Sequence, residues 1–307
     1  MPVRNGGEDF RRCLDAIAAQ EIDDEVEIVV VDSSSTDGSV ELARSYGARV
    51  QVIPAEEFNH GATRNLGVSL ARGDVLAFTS HDAYATGCDW LARLVAPLRE
   101  DPEGTLAGTY GRQIPHVDAR PPERYFLDFL YGPAPRLQSV SGPDDLSMQT
   151  TLFSNVNAAV RRSVMDRFSF VDDIILSEDQ EWSRRVLLAG HSLAYVPAAA
   201  VHHSHPYNLA QAFRRFFDSG ASAERAYLAG ARPSAAVLRR EALRYARGEV
   251  GWLLRTGQAR WLPYTIVYEG TKFLGLQLGI HHRRLPLWLK LRLSGQPVYW
   301  TRFHAEP

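Results

Sequence analysis

The first half of the chain alternates short apolar runs with stretches of helical spacing. Glu27-Ile28-Val29-Val30-Val31 is a β-branched run of the kind carried by a strand buried on both faces. Thr36 to Tyr46 reads as a helix capped by Ser35 or Thr36. Arg49 to Ile53 reads as a second strand, Gly61 to Ala71 as a second helix, Val75 to Thr79 as a third strand and Trp90 to Leu98 as a third helix. Leu193 to Val196 is a further strand-like run. This rhythm predicts an α/β fold, a mostly parallel sheet flanked by helices on both faces, with function at the carboxyl ends of the strands. Residues 132–146, rich in Pro, Gly, Ser and Asp, read as a loop. From Asn208 onward the pattern is helical almost throughout, punctuated by Pro233, Pro263 and Pro286. The expected division is therefore an α/β domain over residues 1–205 and a helical appendage over 206–307.

Charge sharpens that division. The net charge of −2 conceals 16 Arg/Lys against 6 Asp/Glu from residue 206 onward, an excess of +10, and 18 against 30 before it, −12. A basic third points to a partner carrying phosphates, an anionic membrane surface or nucleic acid, or else to a solvated arginine-rich face. The two cysteines, Cys13 and Cys88, have no metal-ligand spacing, and the chain shows neither an apolar leader nor a run of 18 apolar residues. A reducing, cytoplasmic location is expected.

Several segments carry candidate chemistry. Val31-Asp32-Ser33-Ser34-Ser35-Thr36-Asp37-Gly38 sets a carboxylate at a strand end before a hydroxyl-rich turn, where it serves a nucleotide or simply caps a turn. Arg64 falls in the first turn of its helix, where a cation opposes the dipole; a phosphate or a surface salt bridge would compensate it. His81-Asp82 ends the third strand, and one carboxylate with diphosphate oxygens is a usual way to hold Mg²⁺ or Mn²⁺. Ser177 with Gln180 forms the pattern of a capping box, and within the same segment Asp179 is a candidate general base. His202, His203 and His205 follow at the end of a strand-like run, with His203 and His205 on one face of an extended chain and of a type that ligates transition metals. No H-E-x-x-H, G-x-x-x-x-G-K or G-x-G-x-x-G occurs, which disfavours zinc hydrolases, P-loop kinases and Rossmann dehydrogenases.

Taken in order, Pro2-Val3-Arg4-Asn5, Val31-Asp32-Ser33-Ser34-Ser35-Thr36-Asp37-Gly38-Ser39, Phe58-Asn59-His60-Gly61-Ala62-Thr63-Arg64-Asn65, Ser177-Glu178-Asp179 and His203-Ser204-His205 resemble the inverting family 2 glycosyltransferases of GT-A fold. Ser154-Asn155-Val156-Asn157-Ala158 and the tail segments Tyr268 to Gly275 and Arg284 to Lys290 resemble the bacterial rhamnosyl branch. The resemblance implies a nucleotide-sugar-binding catalytic domain over residues 1–205, dTDP-rhamnose as donor, a lipid-linked glycan as acceptor, and a cytoplasmic enzyme held peripherally at the inner face of the plasma membrane, with no nucleic-acid partner. It also implies roles by position. Pro2, Val3, Asp32, Ser34, Arg64, His81 and Asp82 would line the donor side. Asp82 with His203, or His205 in reserve, would hold Mg²⁺ or Mn²⁺, Asp179 would be the base, and Glu178 and Trp182 would shape the acceptor side. Other hexosyl or galactofuranosyl transferases, a non-catalytic sugar-nucleotide-binding relative and a nucleotidyltransferase are the alternatives. The resemblance further places the first strand inside the sheet, between the strands ending at Val31 and Thr79. With only Pro2-Val3-Arg4 ahead of Asn5, the natural start is expected about five to eight residues upstream, a usual strand length.

Overall fold

The computed structural model describes residues 1–228 and 235–303. Pro233, one of the expected helix punctuators, lies outside the described residues. Strand β1 (Pro2–Val3) turns at Asn5, whose φ is 48°, into α1 (Gly7–Ala18). Then follow β2 (Val29–Asp32), α2 (Ser39–Ser45), β3 (Arg49–Val52), α3 (His60–Leu70), β4 (Val75–Thr79), β5 (Tyr84–Ala85) and α4 (Trp90–Arg99). The expected helix from Thr36 begins instead at Ser39, because the residues before it are tied elsewhere. The Thr36 amide is donated to Asn5 Oδ1 at 2.9 Å, Asp37 Oδ2 accepts the Gly7 amide at 2.9 Å, and Gly38 is left-handed with φ 86°.

The middle of the chain supplies β6 (Leu106–Ile114), α5 (Pro121–Leu130), β7 (Arg136–Gln138), β8 (Asn157–Arg161), α6 (Arg162–Met165), α7 (Glu178–Leu188) and β9 (Ser192–His202). The helical tail is α8 (Leu209–Ala223), α9 (Ala235–Arg255), α10 (Leu262–Ile280), α11 (Leu287–Leu293) and α12 (Pro297–Phe303). Pro263 falls at the start of α10 and Pro286 caps α11, both positions that tolerate a missing amide hydrogen.

The strands form two sheets. β1, β2 and β3 are parallel, with Pro2 opposite Val31 and Val29 opposite Arg49. The second sheet is mixed, in the order β4-β8-β6-β9-β5 with β7 against β9. Of its ladders only β6–β9 is parallel, so the expectation of a mostly parallel sheet holds for the first sheet and not the second. β1 ends the first sheet and β4 the second, and no ladder joins them among the described residues. β7 lies inside the expected loop; three residues, with Leu137 exposed, carry no readable alternation.

Between Gly111 and Arg112 the β6–β9 register slips, so that β9 advances from Val196 to Ala200 while β6 advances by one. Asn157 of β8 closes the irregularity. Its Nδ2 is donated to Ala199 O at 2.8 Å and Arg112 O at 3.2 Å, and its Oδ1 accepts the Trp90 indole at 2.9 Å. Such bulges re-aim strand ends next to functional sites.

The described residues form two units. The first comprises residues 1–114, 131–172 and 178–203; the second comprises 115–130, 173–177 and the chain from Ser204 onward. The boundary is therefore more interleaved than the single one expected at residue 205. The second unit also takes in α5, because Tyr125, Phe126 and Phe129 pack against Tyr245 of α9 and Phe126 also meets Phe216 of α8.

Candidate active site

Asp32 closes β2 with its side chain wholly buried. Its Oδ1 accepts the Ser35 amide at 2.8 Å, while Oδ2 is buried with no hydrogen-bond partner among the described residues. An unpaired buried acceptor costs about 1–3 kcal/mol, which a donor from a ligand can relieve. The neighbouring candidates are more committed. The Val3 side chain is core and its carbonyl accepts the Ser33 amide at 2.9 Å, Pro2 has no amide hydrogen, and Ser34, at φ 58°, donates its hydroxyl to Ile53 O at 2.8 Å.

Arg64 sits on α3, which Asn59 starts by accepting the Gly61 and Ala62 amides. Gly61 is required there, since a Cβ would fall 1.9 Å from Val171 O. The sequence left Arg64 seeking a phosphate or a surface partner; the structure gives it a buried one. Its Nη1 donates to Glu178 Oε1 at 2.8 Å, and both side chains are less than a tenth exposed. Glu178 Oε1 also accepts Asn155 Nδ2 at 3.2 Å. The carboxylate expected to shape an acceptor surface is thus enclosed with a cation. Burial is the largest single influence and raises the Glu178 carboxyl, but the charges of Arg64 and His60 together with hydrogen bonds from its own amide and Asn155 outweigh it and hold it below the ordinary range.

Asp179 is its sequence neighbour and its electrostatic opposite. Oδ2 accepts the Asn155 amide at 3.1 Å and Oδ1 the Gln180 amide at 2.9 Å. Burial first, then the Glu178 charge, push its carboxyl up to about 7. Two adjacent carboxylates driven apart in this way mark a candidate acid or base. The capping box does not form: Ser177 has φ 66°, the Gln180 amide turns to Asp179, and Gln180 Oε1 is buried without a partner among the described residues. Trp182 is also corrected. It is fully buried, packed at a tilt against Phe153 and Phe170 with its indole donated to Phe168 O at 2.7 Å, so it is core and presents nothing to an acceptor.

Asp82 and His203 form a second cluster. Asp82 lies with the half-buried His81 in the turn after β4, and its Oδ1 is 3.7 Å from His203 Nε2. The β6 residue Gln113 holds the other ring nitrogen, its Oε1 2.9 Å from His203 Nδ1, while its Nε2 donates to Ser154 Oγ at 3.0 Å. With Gln113 donating through nitrogen, its oxygen faces Nδ1–H, which turns Nε2 toward Asp82. His205 belongs to the second unit, where its amide is donated to Glu123 Oε1 at 2.5 Å and its ring stacks on Tyr207.

The sequence reading missed Gln113 and gave Ser154-Asn155 no role. These two consecutive residues link the clusters: Ser154 Oγ meets Gln113 behind His203, and Asn155 meets both Glu178 and Asp179. Nothing in the sequence marks Gln113, since its partner His203 lies 90 residues away.

Solved structures with this fold include a mannosyltransferase. The mannosyltransferase PcManGT from Pyrobaculum calidifontis, in complex with GDP-Man and Mn²⁺, matches at TM-score 0.59 and 20% identity over 91% of this chain and 85% of that one. S. aureus TarS in complex with UDP-GlcNAc matches at TM-score 0.51 and 14% identity over 99% and 86%. The fold class is GT-A. The sequence narrows the class to a family. The glycosyl transferase family 2 model matches residues 1–168 and the glycosyl transferase family group 2 model residues 141–303. The O-antigen chain rhamnosyltransferase WbaN of Salmonella anatum is 33% identical over 90% of this chain and 86% of its own length, and RfbN of Salmonella typhimurium, which bears the same description, is 33% identical over 98% and 95%. The chain belongs to glycosyl transferase family 2.

Proposed function

We propose that this glycosyltransferase moves L-rhamnose from dTDP-rhamnose, with inversion, onto a lipid-linked glycan precursor of a cell-surface polysaccharide. The observation that carries the reading is Asp179, a carboxylate raised toward neutrality and joined through Asn155-Ser154 to the Asp82–His203 pair. Two rhamnosyltransferases at 33% identity support the donor. Asp179 takes the acceptor hydroxyl proton as that oxygen attacks the anomeric carbon and the bond to the diphosphate breaks; general-base help of this kind is typically worth roughly 10²–10⁴ in rate. Asp32 offers its unpaired oxygen to the thymine or ribose, and Arg64, with Glu178 as counter-ion, is the cation of the nucleotide side. A carboxylate oxygen and an imidazole nitrogen oriented from behind suit Mn²⁺ or Mg²⁺. Such an ion supplies positive charge for the diphosphate leaving group.

No helix among the described residues is long and apolar enough to cross a membrane. The proposed place is the cytoplasmic side of the membrane carrying the acceptor, to which the +10 of the last third is attracted.

The deciding experiment incubates the protein with dTDP-rhamnose, GDP-mannose, UDP-GlcNAc and UDP-galactofuranose, each with a lipid-linked acceptor, and identifies the released nucleotide. Release of dTDP with rhamnose transfer is expected. Release of UDP or GDP names another hexosyl donor, pyrophosphate a nucleotidyltransferase, and binding without turnover a non-catalytic relative. Calorimetry with dTDP tests the metal site: Asp82→Ala and His203→Ala should each weaken binding with Mn²⁺ and leave metal-free binding unchanged. Equal wild-type affinity with and without the ion would reject that assignment.

A further inference from the structure

Helix α10 has its polarity reversed. The residues it buries are Thr265, Tyr268, Lys272, Gly275 and Gly279. Five of its large apolar side chains face outward: Ile266 is 70% exposed, Phe273 62%, Leu274 54% and Val267 53%, with Ile280 continuing the stripe. Spacings of three and four place them on one arc, with Gly270 and Gln277 between. That arc carries no charge. The only ionic residues of the helix, Glu269 and Lys272, pair with each other at 2.7 Å, and the Lys272 ammonium sits 4.4 Å from the Phe126 ring centroid and 4.9 Å from that of Phe216. A helix facing water shows the opposite distribution.

On the buried side Leu278 packs against the cluster of Ile175, Leu176, Phe217 and Trp300, and the helix is otherwise held by close backbone approach. Gly275 and Gly279 lie against the backbone of α8, where an added Cβ would come within 2.5 Å of Phe213 O and 2.0 Å of Phe217 O; Gly220 of α8 answers with 2.3 Å to Leu276 O. Small residues inward and large apolar residues outward is the arrangement of helices that pair in lipid. The ends of the stripe are basic and exposed, Arg260 before the helix and Arg283 and Arg284 after it, and Trp288, 65% exposed, follows on α11.

We propose that this outer face of α10, with Trp288, lies in the headgroup region of an anionic bilayer, the helix parallel to the surface and its terminal arginines on lipid phosphates. Because α10 is not apolar enough to span, it lies in the plane rather than across it. Charge favours lipid over a second copy of the chain. Two tails of +10 repel each other, whereas anionic headgroups satisfy them. The proposal deepens the membrane-side reading above by naming the face that inserts, and it is independent of the donor sugar.

Flotation of the full chain with phosphatidylcholine vesicles, and with vesicles also containing phosphatidylglycerol, tests it at low and high salt. Wild type should float with the anionic vesicles and remain partly bound at high salt, since apolar insertion is not screened. Phe273→Glu, and the milder double change Ile266→Ser with Phe273→Ser, should each weaken partition about tenfold or more. Both should leave thermal melting and nucleotide release from the soluble donor unchanged, the positions being exposed. Variants that float like wild type would show that the basic residues alone bind and would overturn the inserted face while sparing the membrane-side reading. Wild type that floats with neither vesicle would overturn both. A wild-type dimer by sedimentation velocity that Phe273→Glu dissociates, with no flotation, would assign the face to a second copy and overturn the proposal.

Discussion

At the scale of residues, Glu178 and Asp179 show how one step along the chain separates two carboxylates. Glu178 meets a buried guanidinium and Asp179 meets only amides, so the first is locked ionised and the second is poised. Two outcomes follow for Asp179→Asn. Transfer should fall below about a tenth of wild type while dTDP binding persists, as turnover and calorimetry would read. Stability should move the other way. A carboxyl raised in the folded state destabilises as pH climbs from the ordinary aspartate range near about 4 through about 7, so the variant should melt at or above wild type at pH 8 and alike at pH 4. The same value places the acid limb of the rate profile near neutrality, activity rising with pH as Asp179 loses its proton. Gln113→Leu should leave His203 present but unoriented, weakening Mn²⁺ binding about 10–100-fold and releasing the imidazole tautomer seen by ¹⁵N resonance. Asp179 stood out in the sequence because a carboxylate in a first helical turn upstream of a histidine cluster is a recognisable pattern. Gln113 did not, since an amide in a strand acquires meaning only from what folds against it.

At the scale of elements, the sequence reading is best where one strand or helix satisfies itself locally. The β-branched run of β4 and the spacing of α4 appear as read, within a residue of their ends. β7 and β8 were not read at all. β7 has three residues, and Asn157-Ala158-Ala159-Val160-Arg161 is built of small side chains whose strand character comes from pairing with both β4 and β6. α3 depends on a contact 110 residues away, the Val171 carbonyl against Gly61. Gly61→Ala should therefore shift the helix carrying Arg64, lower the melting temperature by several degrees and weaken dTDP binding, whereas Gly270→Ala, with nothing near its Cβ, should leave both alone. Differential scanning fluorimetry with and without dTDP separates the two.

At the scale of the whole molecule, the charge split was visible in the sequence, but the second unit's interior was not. One reading of the basic tail was a solvated arginine-rich face, yet its Lys272 and Glu249 are nearly inaccessible. Burial pushes Glu249 up to about 8 and Glu123 to about 7, and Glu249 Oε1 is buried without a partner among the described residues. Raised carboxyls withdraw stability as pH rises from the ordinary glutamate range to those values. Glu249→Gln should accordingly raise the melting temperature at pH 8 and change little at pH 5, and a pH series of melts checks it.

The Ser154-Asn155 peptide has a consequence for how such an enzyme can change. On the proposed function, two consecutive residues would serve both the grip on the leaving group and the proton acceptor, so neither could be retuned by drift alone without disturbing the other. Substitutions at Gln113 and Asn155 should show strong non-additivity. Divergence in sugar or acceptor choice must then accumulate in the walls around this joint. The catalytic spacing behaves as a heritable fixture, and specificity as its replaceable lining.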